Sequence, residues 1–326
     1  MMEKNAKIYV AGHRGLVGSS ILRALDRAGY KNVVYRTHQE LNLTNFQAVK
    51  NFFEQEKPEY VFLAAAKVGG IWANKTHKAE FIYENLQIQN SVIKNSYDNG
   101  VKKLLFLGSS CIYPRMCPQP IKEEYLLSGY LEETNDAYAI AKISGLMMCR
   151  AFRQQYGVDY ISAMPTNLYG YNDNFDLETS HVLPALMRKV HEAKENNAPE
   201  VTIWGTGSVL REFLFVDDLA DALVFLMNEY SGEEHVNVGT GTDVSIKELA
   251  QLICKVIGYN GKLVFDTSKP DGTPKKLLNV SKINSLGWKA ATELEDGIRK
   301  TYEWYLKEYK KINILRKCSW TLKTLS

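Results

Sequence analysis

Tyr138 and Lys142 lie four residues apart, with Ala139, Ile140 and Ala141 between them. That spacing puts both side chains on one face of a helix, and alanine favours the helix. A free tyrosine exchanges protons poorly near neutrality, because its reference pKa is about 10. A cation one turn away stabilises the phenolate and draws the pKa toward useful acid–base chemistry. Taken alone, such a pair reads as an exposed helix contact of about 0.2–0.5 kcal/mol. Upstream residues give it weight. Ser109 and Cys111 follow directly on the apolar run Lys103-Leu104-Leu105-Phe106-Leu107. In open parallel sheets, ligands bind beyond the carboxyl ends of the strands, so this architecture sets Ser109 and Cys111 at a site.

Strands and helices in alternation must hold these residues in place. Lys7-Ile8-Tyr9-Val10-Ala11 is a short apolar run, followed at once by Gly12-His13-Arg14-Gly15-Leu16-Val17-Gly18 and then by helical spacing through Leu25. Strand, glycine loop and helix are the parts of a dinucleotide-binding turn, in which the pyrophosphate rests on the helix N-terminus. The glycines let the backbone come close. The second strand, Asn32 to Tyr35, ends in Arg36-Thr37-His38, with no acidic residue to hold a ribose hydroxyl. An arginine fork suits the extra phosphate of NADP, so NADP is preferred over NAD, with Arg36 and Arg14 as candidates. Phe46 to Glu56 reads as a helix, Pro58 to Leu63 as a third strand, and Ala64-Ala65-Ala66 as a small-residue landing for a flat cofactor. Further strands follow at Lys103–Leu107 and Asp159–Met164, the latter leading into Pro165-Thr166-Asn167-Leu168.

Repeated alternation predicts an α/β fold: a doubly wound, Rossmann-like parallel sheet with a smaller C-terminal α/β substrate lobe. The expected division is a dinucleotide-binding domain over 1–171, to which 205–245 partly returns, a substrate lobe over 172–310, and a tail over 311–326. Within the return, Arg211 to Asp218 is expected to rejoin the sheet. Bulk properties narrow the class. The 326 residues are 45% hydrophobic and 24% charged, with a formal net charge of +3, which does not call for nucleic acid. Five scattered cysteines form neither a disulfide framework nor a Cys-x-x-Cys metal pair. No apolar signal core and no membrane span are seen, so a reduced, cytoplasmic protein without resident metal is expected.

With these motifs in order, the chain resembles the extended short-chain dehydrogenase/reductases. The stretches that carry the resemblance are the Gly12–Gly18 loop, Ala64 to Ile71, Leu107 to Pro114, Tyr138-x-x-x-Lys142, Met164 to Gly170 and Lys269 to Pro274. It covers most of the chain up to about residue 305. Within that family the similarity is to members that epimerise and reduce the GDP-linked sugar GDP-4-keto-6-deoxy-D-mannose, with NADPH as hydride donor. The resemblance implies that Tyr138 protonates the C4 oxygen, that Lys142 holds the nicotinamide ribose, and that Ser109 hydrogen-bonds the same oxygen. It implies Cys111 as the base and His181 as the acid of the epimerisation. Thiol and imidazole reference values, about 8.5 and 6.5, bracket the operating pH. It also extends the cofactor set to His13, Leu16, Val17, Leu107, Gly108, Ser110, Pro165, Thr166, Asn167, Leu168 and His181.

For the sugar nucleotide the resemblance implies Lys189 and Arg211 on the diphosphate, Asp271 accepting from the GDP moiety, and Trp204 stacking on guanine or covering the sugar. A core tryptophan at Trp204 and an ordinary turn aspartate at Asp271 are the plainer readings. Members of the family commonly form homodimers through two long helices per subunit, here Glu80–Asn99 and Tyr138–Tyr156. Two rival functions remain open on sequence: another nucleotide-sugar 4-epimerase or reductase of the same fold, and a non-catalytic NADP-binding regulator.

Overall fold

The structure, a computed structural model, describes residues 1–269 and 271–309; the tail at 311–326 lies outside them. Strand β1 (Ile8–Ala11) is buried at every position, as a strand covered on both faces must be. The chain then turns at Gly12, with φ +87°, into α1 (Leu16–Arg27). This turn admits only glycine at two positions. A Cβ on Gly12 would stand 2.8 Å from Ala65 Cα, and one on Gly18 would stand 2.1 Å from the Gly12 carbonyl oxygen.

β2 (Val33–Val34) pairs with one side of β1. After α2 (Phe46–Glu56), capped by the Asn45 side chain, β3 (Tyr60–Leu63) pairs with the other side. The chain continues through α3 (Ile71–Thr76), α4 (Lys78–Asp98), β4 (Lys103–Leu107), α5 (Asp136–Tyr156) and β5 (Asp159–Pro165). There follow β6 (Asn167–Tyr169), α6 (Val182–Glu195), β7 (Glu200–Trp204), β8 (Leu210–Arg211), β9 (Phe213–Phe215), α7 (Val216–Glu229) and β10 (Val236–Val238). The main sheet is parallel, in the order β10-β5-β4-β3-β1-β2. Its strand order reverses between β1 and β3, and that crevice is where such sheets bind ligands. The Gly12 loop and Ala64–Ala66 border it.

The last part comprises β11 (Val244–Ser245), α8 (Ile246–Ile257), β12 (Lys262–Asp266), β13 (Lys275–Lys276), α9 (Ser281–Leu286) and α10 (Leu294–Trp304). A capping box between Ser245 and Glu248 starts α8, and Gly258, with φ +75°, ends it. Small sheets, β11-β8-β13 and β12-β7, stand beside the main one. The core has two apolar clusters. One surrounds the main sheet; the other gathers Phe175, Leu186, Leu249, Ile253 and Ile298 around α6, α8 and α10.

The expected return of Arg211–Asp218 to the sheet is corrected. β8 pairs with β11 and β13, β9 pairs with β6, and α7 begins at Val216. The strand that rejoins the main sheet is β10. An apolar run such as Phe213-Leu214-Phe215-Val216 looks alike as a buried strand or as the start of a buried helix. Asp217 and Asp218, in the first turn of α7, suit a helix N-terminus.

Gly18→Ala is expected to lower stability by about 1–3 kcal/mol, because the methyl group must displace the Gly12 peptide. Thermal unfolding of the variant reads this directly. An unchanged midpoint would mean that the loop yields, contrary to the close approach seen here.

Candidate active site

Ser109 follows β4 by two residues and opens a short turn in which its Oγ accepts the Cys111 N–H at 3.2 Å. Asn135 stands at the N-cap of α5, but its side chain does not cap the helix. Instead Asn135 Nδ2 donates to Cys111 Sγ at 3.3 Å. Lys276 Nζ donates to the same sulfur at 3.6 Å. Tyr138 lies in the first turn of α5 and meets Phe81 edge-on, with ring centroids 6.3 Å apart. One turn on, buried Lys142 donates to the Leu107 carbonyl at 2.8 Å, and its ammonium lies 5.8 Å from the Tyr138 ring centre. Ser109, Cys111, Tyr138 and Lys142 thus meet at the carboxyl end of β4.

His181 is the N-cap residue of α6. The preceding loop is docked by the Gly70 N–H donating to the Thr179 carbonyl at 2.8 Å. Asn74 Nδ2 in turn holds the Gly69 carbonyl at 2.7 Å. The His181 side chain is accessible, yet its pKa is lowered, first by desolvation and then by the field of Lys276. A side chain that is open to solvent and still surrounded by protein lines a cleft.

One electrostatic expectation is reversed. Tyr138 is not drawn down by Lys142. Desolvation raises its pKa above the ordinary value, the charge of Cys111 adds to this, and the hydrogen bond from Ser109 opposes it. Burial also pushes the Lys142 pKa down, to about 7. In a dry pocket, desolvation dominates the tyrosine, and the lysine itself resists carrying charge there.

The dinucleotide turn fits a phosphate. Gly15 caps α1 without any side-chain bond, so the first helical N–H groups face outward. Among the described residues no carboxylate pairs with Arg14, which is exposed beside this turn. Arg36 is already engaged, with Glu56 at 2.5 Å. His13 stacks on Tyr35, with centroids 4.5 Å apart. Leu16, Val17 and Gly18 continue into α1. At the other end of the crevice, Leu107 and Pro165 are the buried last residues of β4 and β5, and Gly108 and Ser110 are buried in the turn after β4. Thr166 Oγ1 and Asn167 Nδ2 both donate to the Glu212 carbonyl, at 3.3 and 2.8 Å, and Leu168 follows in β6.

Farther out, Trp204 is 63% exposed, which removes the core reading for it. The ammonium groups of Lys189 and Lys269 lie 5.4 and 5.6 Å from its ring centre. Arg211, partly buried, is influenced by Asp271 and Glu132. Asp271 accepts from Thr206 N–H at 2.7 Å and from Thr206 Oγ1 at 2.9 Å, so it also clasps the loop that follows β7. Sequence reasoning missed Asn135, Glu212, Lys269 and Lys276. Lys276 is 165 positions from the sulfur it touches, and no local pattern marks such a contact. Buried Glu212 accepts from the N–H groups of Thr240, Gly241 and Leu278 at 2.7, 2.7 and 2.9 Å. Among the described residues no group of His, Cys, Asp and Glu is arranged to hold a metal ion, and no helix is long and apolar enough to cross a membrane.

Comparison with known proteins places these residues in context. Residues 8–239 match the NAD dependent epimerase/dehydratase family. The chain is 63% identical over 307 residues to GDP-L-fucose synthase 1 of Arabidopsis thaliana, covering 94% of this chain and 95% of the relative. It is 52% identical over 309 residues to the GDP-L-fucose synthase of Escherichia coli, covering 92% and 96%. Among solved structures, it is similar to a GDP-L-fucose synthetase from Naegleria fowleri bound to NADP, with a TM-score of 0.89 at 32% identity, covering 95% and 97%.

The buried ammonium of Lys142 has a stability signature. Below pH 7 the folded and unfolded chains both carry its proton, and the full cost of burying the charge is present. From about 7 up to the ordinary value of 10.5, the unfolded chain binds more proton than the folded one, so stability climbs with pH. Lys142→Met is expected to flatten that climb. The variant should exceed the wild type by about 1–3 kcal/mol at pH 6.5, since the lost bond to Leu107 offsets part of the gain. The gap should close toward pH 10. Urea unfolding at several pH values measures this, and parallel curves for the two proteins would refute it.

Proposed function

The chain belongs to the NAD dependent epimerase/dehydratase family, and from that premise we propose that it converts GDP-4-keto-6-deoxy-D-mannose to GDP-L-fucose. The reaction is epimerisation at C3 and C5 followed by NADPH-dependent reduction at C4. What supports this reading is that Lys276 lies 3.6 Å from Cys111 Sγ while its field reaches His181, which draws a second pair of proton-handling residues toward the first. Ser109, Tyr138 and Lys142 are the first set, and Cys111 and His181, from separate loops, are the second. A reductase alone has no use for the second.

The bound NADPH supplies the hydride for C4. Tyr138 gives its phenolic proton to the C4 oxygen, and a phenol whose pKa is held high is a phenol that keeps its proton until the alkoxide forms. Ser109 donates to the same oxygen and polarises the carbonyl. Lys142, fixed by Leu107, faces the nicotinamide ribose. For epimerisation, the ketone acidifies the C–H bonds at C3 and C5. Cys111 takes each proton, and His181, when protonated, returns one from the opposite face; desolvation and then the field of Lys276 lower its pKa, which makes the imidazolium a stronger acid and a scarcer one near neutrality. The first-turn amides of α1 would receive the cofactor pyrophosphate. Arg14 and Arg36 would hold the 2′-phosphate, with Glu56 keeping Arg36 in orientation. Arg211 and Lys189 hold the sugar-nucleotide diphosphate, Trp204 offers its exposed face, and Asp271 keeps acceptor capacity beyond its bonds to Thr206.

Assembly and setting follow the same reading. We take the protein as a cytoplasmic homodimer. Support comes from α4 and α5, which pack along each other and expose Tyr83, Ile140, Met147 and Tyr156. Apolar positions left on a helix pair favour a partner surface.

Two measurements test these statements. Purified protein, NADPH and GDP-4-keto-6-deoxy-D-mannose should yield GDP-L-fucose, identified by NMR, with loss of the reduced nicotinamide absorbance. Unepimerised GDP-6-deoxy sugars as sole products would remove Cys111 and His181 from their roles. For assembly, Met147→Glu should shift the protein from dimer to monomer in light scattering, and a wild type already monomeric at micromolar concentration would end the dimer reading.

A further inference from the structure

Lys276 stands where both ends of the epimerisation chemistry can feel it. It lies on β13, beside β8, with Arg211 as its partner across the two parallel strands. Its ammonium approaches Cys111 Sγ at 3.6 Å. Its field also reaches His181 and Cys117. Adjacent Lys275 has a carboxylate partner, Asp243 at 3.1 Å. Among the described residues no carboxylate pairs with Lys276. A partly buried ammonium without a counter-charge is costly, so one that persists in a cleft commonly has a functional anion to meet.

The surroundings of Cys111 specify that anion. From its own turn, Ser109 Oγ takes its N–H. From α5, Asn135 donates to the sulfur and Tyr138 feels its charge. The Asn135 Oδ1 atom is buried and has no partner among the described residues. From β13 comes Lys276. Sulfur therefore faces two donors, one of them cationic, and no anion. Both contacts aim donors at the sulfur, which can only accept from them.

We propose that Lys276 is the counter-ion of Cys111, holding it as the thiolate that removes protons from C3 and C5, and so serves epimerisation as a positioning residue. The proposal rests on the epimerase reading above. In the step, the thiolate takes the proton of a C–H bond. The electron pair of that bond enters the enolate, whose negative charge lies on the C4 oxygen. His181 then protonates the carbon from the opposite face, and the enolate collapses to the ketone. One negative charge passes from sulfur to oxygen and is neutralised, while Lys276 stays cationic throughout; before the second carbon reacts, the thiol returns its proton to solvent and His181 takes one up from it.

The test uses Lys276→Met and Lys276→Arg in the full-length enzyme. First, alkylation of Cys111 by iodoacetamide is followed against pH by peptide mass spectrometry, with no substrate present. The wild type should react on the order of tenfold faster than the methionine variant at pH 7, and the variant's profile should move upward by about one pH unit or more. The arginine variant should restore most of the rate. Superimposable profiles in wild type and Lys276→Met would overturn the proposal. Second, deuterium uptake at C3 and C5 of GDP-4-keto-6-deoxy-D-mannose is measured in heavy water without NADPH. A fall in kcat for exchange with little change in KM supports the proposal. A defect confined to KM overturns it and assigns Lys276 to the diphosphate. No exchange in the wild type would instead overturn the epimerase reading, while the alkylation profiles still judge the pairing of Lys276 with Cys111. NADPH titration of each variant reports that the fold persists.

Discussion

The hydrogen bond from Lys142 to the Leu107 carbonyl is the constraint on which the site is built. It joins the second turn of α5 to the last residue of β4, across the face where a ligand must lie. Because it is buried, the bond fixes the helix in rotation as well as in distance. Tyr138, one turn earlier, is thereby aimed at Ser109, which follows Leu107 by two residues. A longer or looser tether would leave phenol and hydroxyl unable to share one oxygen. The cost of that tether is a lysine held in surroundings that resist its charge. A protein selected for stability alone would place an apolar side chain there.

The two groups of residues at the site differ in how they are held. Ser109, Tyr138 and Lys142 sit on the ends of a strand and a long helix that belong to the main sheet. Cys111, His181 and Lys276 come from a turn, a helix cap and a two-residue strand, each braced by its neighbours. His181 depends on Gly70 accepting no side chain: a Cβ there would stand 2.6 Å from the Ser180 carbonyl oxygen. Elements that return a proton from either face of a sugar must come from either side of it. A single rigid layer cannot supply both faces, so part of the site has to be carried on loops.

What the sequence disclosed, it disclosed through local relationships. β1, the Gly12–Gly18 loop and α1 are one continuous stretch, and the periodicity switch between them is visible without any partner. Tyr138 and Lys142 are one helical turn apart, so their shared face needs only helix geometry. Residues whose roles come from distant contacts stayed hidden. Lys276, Asn135 and Glu212 carry no pattern in their own neighbourhoods, and Lys269 looks like any surface lysine until Trp204 is found beside it. The partners of Arg36 and Asp271 were hidden for the same reason: sequence shows that an arginine is there, but not that Glu56 has engaged it. The run Arg211–Asp218 misled because four apolar residues satisfy strand and helix alike, and only packing decides between them. The balance of terms on Tyr138 was also beyond sequence, since desolvation is a property of everything around the ring.

Glu212 has a wider consequence. Its carboxylate collects the amides of Thr240, Gly241 and Leu278, and its backbone carbonyl collects Thr166 and Asn167. One residue therefore anchors the loop that borders the cofactor crevice and the segment that carries Lys276. Lesions at this position cannot be sorted by steady-state kinetics into cofactor defects and substrate defects, because both walls move together. For anyone redesigning the sugar pocket, the same residue marks a frontier. Changes that touch the Glu212 network reach the Thr166–Asn167 segment and the segment that carries Lys276 at once.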